Sequence, residues 1–178
     1  KLMGLAPYGK PKYVDLIKNN LIDIKKDGTF RLNLKFFKFH RGFRMTSRKF
    51  DQLFESPARK SETEITQFHM DIASSIQKVT EEITILLAKS IQKETKAKNL
   101  CLAGGVALNC VSNGKILQEK IFENIWIQPA AGDAGTAVGA ALYANYKYFG
   151  NDRNIDLNDS MKGTYLGPSF SNDEIIRY

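Results

Sequence analysis

Asn99-Leu100-Cys101-Leu102-Ala103-Gly104-Gly105-Val106-Ala107-Leu108-Asn109 and Ile125-Trp126-Ile127-Gln128-Pro129-Ala130-Ala131-Gly132-Asp133-Ala134-Gly135 follow one pattern. In each, a short apolar run meets a small-residue loop and then an Ala- and Gly-rich segment. The short apolar runs read as strands. The pattern predicts strand, loop and helix twice in succession, which places the chain in the α/β class. The first helix is expected from about Ala107 to Gln118, the second strand from near Glu123, and the second helix from about Gly135 to Phe149.

The loops also carry the chemistry. Gly104 and Gly105 permit positive φ and let backbone amides approach a ligand with no Cβ in the way. Asn109 is expected one turn into the helix, with Asn113 on the same face four residues on. An amide offers both a donor and an acceptor, which suits ribose hydroxyls or an adenine edge. The loop lacks the Gly-Lys-Ser/Thr ending of a P-loop and the G-x-G-x-x-G spacing of dinucleotide folds. A tight strand-to-helix turn explains a Gly-Gly pair equally well. Asp133 strengthens the case, because it is the sole acid between Glu123 and Asp152. In so apolar a setting it caps a helix, binds a ligand, or does both.

Outward from these loops, Ser61 and Glu64 have the spacing of a capping box. The apolar positions Ile65, Phe68, Ile72, Ile76, Val79, Ile83, Leu86, Leu87 and Ile91 predict a long core-facing helix reaching about Lys96. His69 lies beside this face and reads as a partly exposed helix residue. Leu21–Lys25 and Thr29–Leu34 alternate around Asp27-Gly28 and predict a β-hairpin. Tyr13–Asn20 predicts a short helix, and Leu2–Gly9, broken by Gly4, Pro7 and Gly9, a loop. The small residues Ala137, Gly139, Ala140, Ala141 and Ala144 predict a helix that packs closely on a neighbour. Residues 150–178 are polar and rich in turn signals, namely Gly150-Asn151-Asp152, Asn158-Asp159-Ser160 and Gly167-Pro168-Ser169, and read as a linker.

The chain has 178 residues and a net charge of +7. Residues 1–60 hold 15 Lys and Arg against 5 Asp and Glu, whereas the remainder holds 11 against 14. The basic excess therefore belongs to the first third. Lys35-Phe36-Phe37-Lys38-Phe39-His40-Arg41-Gly42-Phe43-Arg44 interleaves cations with aromatics, a composition that can grip single-stranded nucleic acid. An edge strand with a solvated basic face is the favoured reading. No apolar run approaches the length of a membrane span and no signal peptide opens the chain, so a cytoplasmic protein with reduced Cys101 and Cys110 is expected. The start at Lys1 is expected to mark a piece of a longer protein.

Leu102–Asn109, Asn113-Gly114 and Pro129–Gly135, preceded by Met3-Gly4-Leu5-Ala6-Pro7-Tyr8-Gly9, together resemble the O-carbamoyltransferases of the nodulation and antibiotic-biosynthesis type. Asp71-Ile72-Ala73-Ser74-Ser75-Ile76-Gln77 and Leu166-Gly167-Pro168-Ser169-Phe170 fit the same family in the same order. The resemblance implies an RNase H-like, actin-like (ASKHA) half-domain, with a mixed sheet flanked by helices and a β-hairpin insertion. Residues 1–150 would form the latter part of that domain, and 151–178 a linker toward a YrdC-like domain outside the chain.

In that family carbamoyl phosphate and ATP give carbamoyl-adenylate, and the actin-like domain passes the carbamoyl group to a hydroxyl of a small-molecule acceptor. The resemblance implies that Gly104, Gly105, Val106, Asn109, Asn113 and Gly132 line the nucleotide site. Asp133 would be the catalytic carboxylate and one ligand of a divalent metal, such as iron, and Tyr8 and Lys10 candidates for acceptor or phosphate contact. The family's two metal-binding histidines at helical spacing have no counterpart here, since His40 and His69 are 29 positions apart. They would lie in an upstream half-domain, so the metal site is expected to be incomplete and the isolated piece inactive. An actin-like ATPase or sugar kinase would use similar loops, and a nucleic-acid-binding module would rest on residues 35–44.

Overall fold

The computed structural model describes residues 2–154, 158, 161 and 167–178. The α/β class holds: helices α1 (Leu2–Leu5), α2 (Val14–Asn20), α3 (Arg48–Leu53), α4 (Gln67–Thr95), α5 (Cys110–Gln118), α6 (Gly135–Tyr143) and α7 (Asn172–Ile176) alternate with strands β1 (Ile22–Ile24), β2 (Phe30–Leu32), β3 (Asn99–Leu102) and β4 (Asn124–Ile127). Among the described residues the strands form two separate pairs, not one mixed sheet. The chain divides into two compact units, residues 1–100 with 109–125 and residues 101–108 with 126–178.

The first unit is organised around α4. The periodicity correctly gives a long helix, but its start lies further along the chain than Ser61. Glu62 adopts a left-handed φ of 61°, which no helix beginning at Ser61 could contain. Thr66 is the N-cap instead, and the capping box closes with His69, whose Nδ1 accepts from the Thr66 amide at 3.0 Å. His69 is thus part of the helix start. At the other end Lys96 turns left-handed at φ 56°, and its amide donates to the Gln92 carbonyl at 2.8 Å.

One face of α4 meets the hydrophobic core, where Ile17, Leu21, Phe36, Phe54, Val79 and Ile83 are buried. The Tyr13 ring stands edge-on to both Phe54 and Phe68, with centroids 5.7 Å away in each case. The predicted hairpin is present, with Ile22 opposite Leu32 and Ile24 opposite Phe30. Its turn holds Gly28 at φ 86°, and a Cβ there would stand 2.5 Å from the Leu87 nitrogen. Glycine is therefore demanded twice at this position, by backbone conformation and by space.

The segment read as a loop, Leu2–Gly9, instead forms α1 and a 3-10 turn over Ala6–Tyr8, because the surface of α4 supplies packing that local propensity lacks. Residues 35–44 are not an edge strand. Leu34–Phe36 forms a 3-10 turn with Phe36 buried, and a single antiparallel bridge joins Phe37 to Thr46. Phe39 and Phe43 stay exposed.

β3 and β4 run parallel: the Glu123 amide donates to the Lys98 carbonyl and the Gln128 amide to the Leu102 carbonyl. The helix after β3 starts later than the pattern suggests, since Gly105–Leu108 form a 3-10 turn and Asn109 is the N-cap of α5. In the second unit α6 continues into a π-helical stretch, Ala144–Tyr148. Its small residues do not pack as expected. Ala137, Gly139, Ala140 and Ala141 are exposed and Ala144 is half-buried, whereas at Gly135 a Cβ would stand 1.8 Å from the Ala130 carbonyl oxygen. The tail read as a linker contains α7, opened by a capping box between Ser171 and Glu174. Of the predicted turns, Asp159 and Ser160 lie outside the described residues, as does Leu166 of the closing motif.

Candidate functional site

The polar face of α4 holds the most densely bonded groups of the first unit. Asp71, Ser75, Gln77 and Glu81 are all buried, and each is tied to another element. Asp71 accepts from the Lys10 amide at 2.8 Å and from Gln67 Nε2 at 2.8 Å, and pairs with the Lys12 ammonium at 2.7 Å. The Lys12 hydrogen bond, followed by those of the Lys10 amide and Gln67, lowers the Asp71 carboxyl from 3.8 to about 2. The same contact raises the Lys12 ammonium above 10.5. Ser75 Oγ accepts from the Tyr13 amide at 3.0 Å and donates to the Asp71 carbonyl at 2.6 Å. Gly9 lies against the same helix, where a Cβ would stand 1.9 Å from the Met70 carbonyl oxygen. The segment from Met3 to Tyr13 is thereby clamped to α4 by backbone contacts that side-chain variation could not supply.

Two turns further along α4, Gln77 reaches α5. Asn109 Nδ2 donates to Gln77 Oε1 at 2.9 Å, and Gln77 Nε2 donates back to Asn109 Oδ1 at 3.2 Å. Gln77 Nε2 also donates to Glu81 Oε1 at 3.0 Å, and Glu81 Oε2 pairs with Lys115. Asn109 Oδ1 further accepts from the Ser112 amide at 3.1 Å, capping α5. Asn113 follows one turn on, half-buried. Beside this network opens a cleft of about 240 Å³, bounded by Met3, Pro7, Lys78, Glu81, Val111 and Lys115.

The second unit presents its glycine loop differently. Gly104 has φ 93°, and a Cβ added at either Gly104 or Gly105 would meet no atom within 4 Å. Val106 is exposed. The Gly104 carbonyl accepts from the Ala107 amide at 2.9 Å, which closes the turn. The Gly132 carbonyl accepts from the Gly135 amide at 3.1 Å. Asp133 stands exposed before α6, whose N-cap is Ala134, without a side-chain cap. The Asp133 carboxylate makes no hydrogen bond or ion pair with a described residue. Among the described residues no three His, Cys, Asp or Glu side chains gather as a metal site. A lone carboxylate does not hold a divalent ion, so the donor set described here does not fit one without further ligands.

Of the residues proposed for the site, Gly104, Gly105, Val106, Gly132 and Asp133 fall in the second unit, and Asn109 and Asn113 in the first. Sequence reasoning missed Gln77, Glu81 and Lys115. The available signal was two pairs of polar residues at i,i+4 spacing, 71 with 75 and 77 with 81, on an amphipathic helix.

The family model of the carbamoyltransferase N-terminus matches residues 1–142, and the chain belongs to that family. It is 57% identical over its whole length to the uncharacterized protein sll1178 of Synechocystis, covering 29% of that protein. It is 34% identical to the nodulation protein NolO of Bradyrhizobium diazoefficiens, over 98% of this chain and 29% of that one. It is also 33% identical to the nodulation protein NolNO of Sinorhizobium fredii, over 99% and 24%. The chain thus spans less than a third of the length of these relatives. Among the described residues no helix is long and apolar enough to cross a membrane.

Proposed function

We propose that this chain is the latter part of an actin-like carbamoyltransferase domain, an ASKHA half-domain, that handles carbamoyl-adenylate in the cytoplasm. Carbamoyl phosphate, ATP and water furnish that intermediate, releasing phosphate and pyrophosphate, on a YrdC-like domain elsewhere in the polypeptide. The acceptor hydroxyl oxygen then attacks the carbamoyl carbon, the bond to the AMP oxygen breaks, and AMP leaves. Gly104, Gly105 and Val106 supply backbone for the nucleotide, with Gly132, Asn109 and Asn113 as further contacts. Asp133 faces the reacting group. Any divalent metal draws most of its ligands from outside this chain and takes no part in the steps given.

The observation that carries this reading is the uncommitted Asp133 carboxylate at a glycine turn, within a chain whose motifs match the carbamoyltransferase family over residues 1–142. A carboxylate that neither caps its helix nor pairs with a cation stabilises nothing visible in the fold, which leaves it available for a ligand. The test uses the full-length protein with carbamoyl phosphate, ATP and a hydroxyl acceptor. Acceptor-dependent carbamoyl transfer with release of AMP is expected. Asp133→Ala is expected to abolish transfer with an unchanged circular dichroism spectrum and melting temperature. Full activity in that variant would remove Asp133 from the site.

A further inference from the structure

Every hydrogen bond in the Gln77–Asn109 network has only one consistent direction. The backbone N–H of Ser112 can only donate, so the atom of Asn109 that it meets is the oxygen. The nitrogen of Asn109 then faces Gln77, which must answer with its own oxygen. Gln77 Nε2 is left to face two acceptors, Asn109 Oδ1 and Glu81 Oε1, and both of its hydrogens are used. Glu81 is ion-paired with Lys115, so turning the Gln77 amide over would set oxygen against oxygen at both contacts. A backbone amide at one end and an ion pair at the other thus lock both side-chain amides.

Both acceptor positions of Asn109 Oδ1 are filled, by Ser112 and Gln77, and one hydrogen of Nδ2 is taken by Gln77. The capacity left on this half-buried side chain is a single N–H donor. We infer that Asn109 presents only that donor to the nucleotide, and that Gln77 is the positioning residue that fixes it. This rests on the proposed reading that Asn109 touches the nucleotide, and it narrows the contact. The partner atom must be an acceptor, such as a ribose oxygen, a ring nitrogen or a phosphate oxygen. The exocyclic amine of adenine is not what Asn109 reads.

The test measures ATP binding by calorimetry in the full-length protein, with thermal melting of each variant as a control. Asn109→Asp keeps the acceptor for Ser112 but removes both Nδ2 hydrogens and sets a carboxylate oxygen against Gln77 Oε1. ATP affinity is therefore expected to fall about tenfold while α5 stays capped, and the nucleotide analogues separate the lost donor from the disturbed Gln77 contact. The same loss is expected with purine riboside triphosphate, which lacks the exocyclic amine and keeps every ring nitrogen as an acceptor. Analogues lacking the 2′-hydroxyl, the 3′-hydroxyl or ring nitrogen 7 identify the partner atom as the one whose removal makes Asn109→Asp silent; a penalty that persists with all three points to a phosphate oxygen or another ring nitrogen. Gln77→Met is expected to weaken ATP binding about three- to tenfold at every pH. Gln77→Glu places a carboxylate against Glu81 and is expected to bind weakly near about pH 8. It should recover in part near about pH 5, where the protonated carboxyl donates one O–H in place of the two N–H of Gln77. A residue that only filled space would show no such pH dependence. Should Gln77→Met fail to fold, Glu81→Gln removes the orienting charge and is expected to give a smaller loss of affinity.

Unchanged ATP affinity in Asn109→Asp would overturn both the donor assignment and the contact reading beneath it. A loss in Asn109→Asp with folded Gln77 and Glu81 variants that bind normally would overturn the positioning role alone. A loss seen with ATP but not with purine riboside triphosphate would overturn the donor-only assignment.

Discussion

The Met3–Tyr13 segment and the Gly104–Gly135 loops share a composition rich in Gly, Ala and Pro, yet they do opposite things with it. In the first, Gly9 lets two backbones touch: a Cβ would sit 1.9 Å from the Met70 carbonyl oxygen. The amides of Lys10 and Tyr13 each donate to a buried side chain of α4. In the second, Gly104 and Gly105 face open space, Val106 is exposed and the Asp133 carboxylate has no partner among the described residues. Small residues serve close packing in one region and accessible backbone in the other. The first segment is packed tightly on α4, and the loops of the second leave backbone accessible.

The largest break in this contrast comes from the two apolar surfaces. Phe54 is buried among Tyr13, Phe50 and the α4 face, and Phe54→Ala is expected to cost about 3–5 kcal/mol. Leu142 on α6 is 49% exposed, and Leu142→Ala is expected to stay within about 0.5 kcal/mol. Urea unfolding of both variants checks the pair. A large loss at Leu142 would mean that α6 carries a core of its own.

A finer comparison sets one glycine against another. Gly9→Ala forces the Met3–Tyr13 segment off α4 and is expected to cost at least about 1–3 kcal/mol. Gly105→Ala meets no atom within 4 Å and is expected to be nearly neutral for stability, while hindering approach of a nucleotide to the loop. Matched melting and ATP-binding measurements separate the two effects. Equal destabilisation by both changes would erase the distinction drawn between the regions.

The sequence exposes the two strand-loop-helix units, the hairpin around Asp27-Gly28 and the length of α4, because each is governed by local periodicity or turn chemistry. The start of α4 is misread because Ser61-x-x-Glu64 and Thr66-x-x-His69 both have capping spacing. Only the left-handed backbone at Glu62 decides between them. Met3–Gly9 is misread because its order comes from α4, about sixty positions away, and no local signal reports it. The glycine loops and Asp133 could be singled out because glycines free the backbone at a strand-to-helix turn and a lone acid stands out among small apolar residues. The network of Gln77, Glu81 and Lys115 stayed hidden because a buried glutamine and an exposed one look alike until the facing helix is placed.

Ser75 and Asp133 give a smaller contrast between two polar side chains. Ser75→Ala strands the Tyr13 amide beneath the clamp and is expected to cost about 1–3 kcal/mol. Asp133→Ala removes no bond to a described residue, so its stability is expected to match the parent. Hydrogen exchange at Tyr13 distinguishes local release of the clamp from global loss. Protection retained in Ser75→Ala would show that Tyr13 is held by some other acceptor.

The smallest effect expected is a pH dependence confined to the clamp. Asp71 titrates at about 2 when folded, against an ordinary value of 3.8, because Lys12, the Lys10 amide and Gln67 all favour its ionised form. The unfolded chain therefore binds the proton more readily than the native one between those values. Lowering the pH shifts the balance toward unfolding. The stabilisation from Asp71 is complete above about pH 5, declines through about pH 4 to 2, and is gone below the folded value. Asp71→Asn keeps the shape but removes the charge that Lys12 meets, so its acid limb is expected to be flatter than that of the parent. Above about pH 5 it should be the less stable of the two, and the difference should shrink as the parent is titrated. Urea midpoints measured from about pH 6 to 2 in both proteins test the sign. A gap that stayed constant with pH would mean that Lys12 and Asp71 are not paired in solution, and that the clamp is held by Gly9 and Ser75 alone.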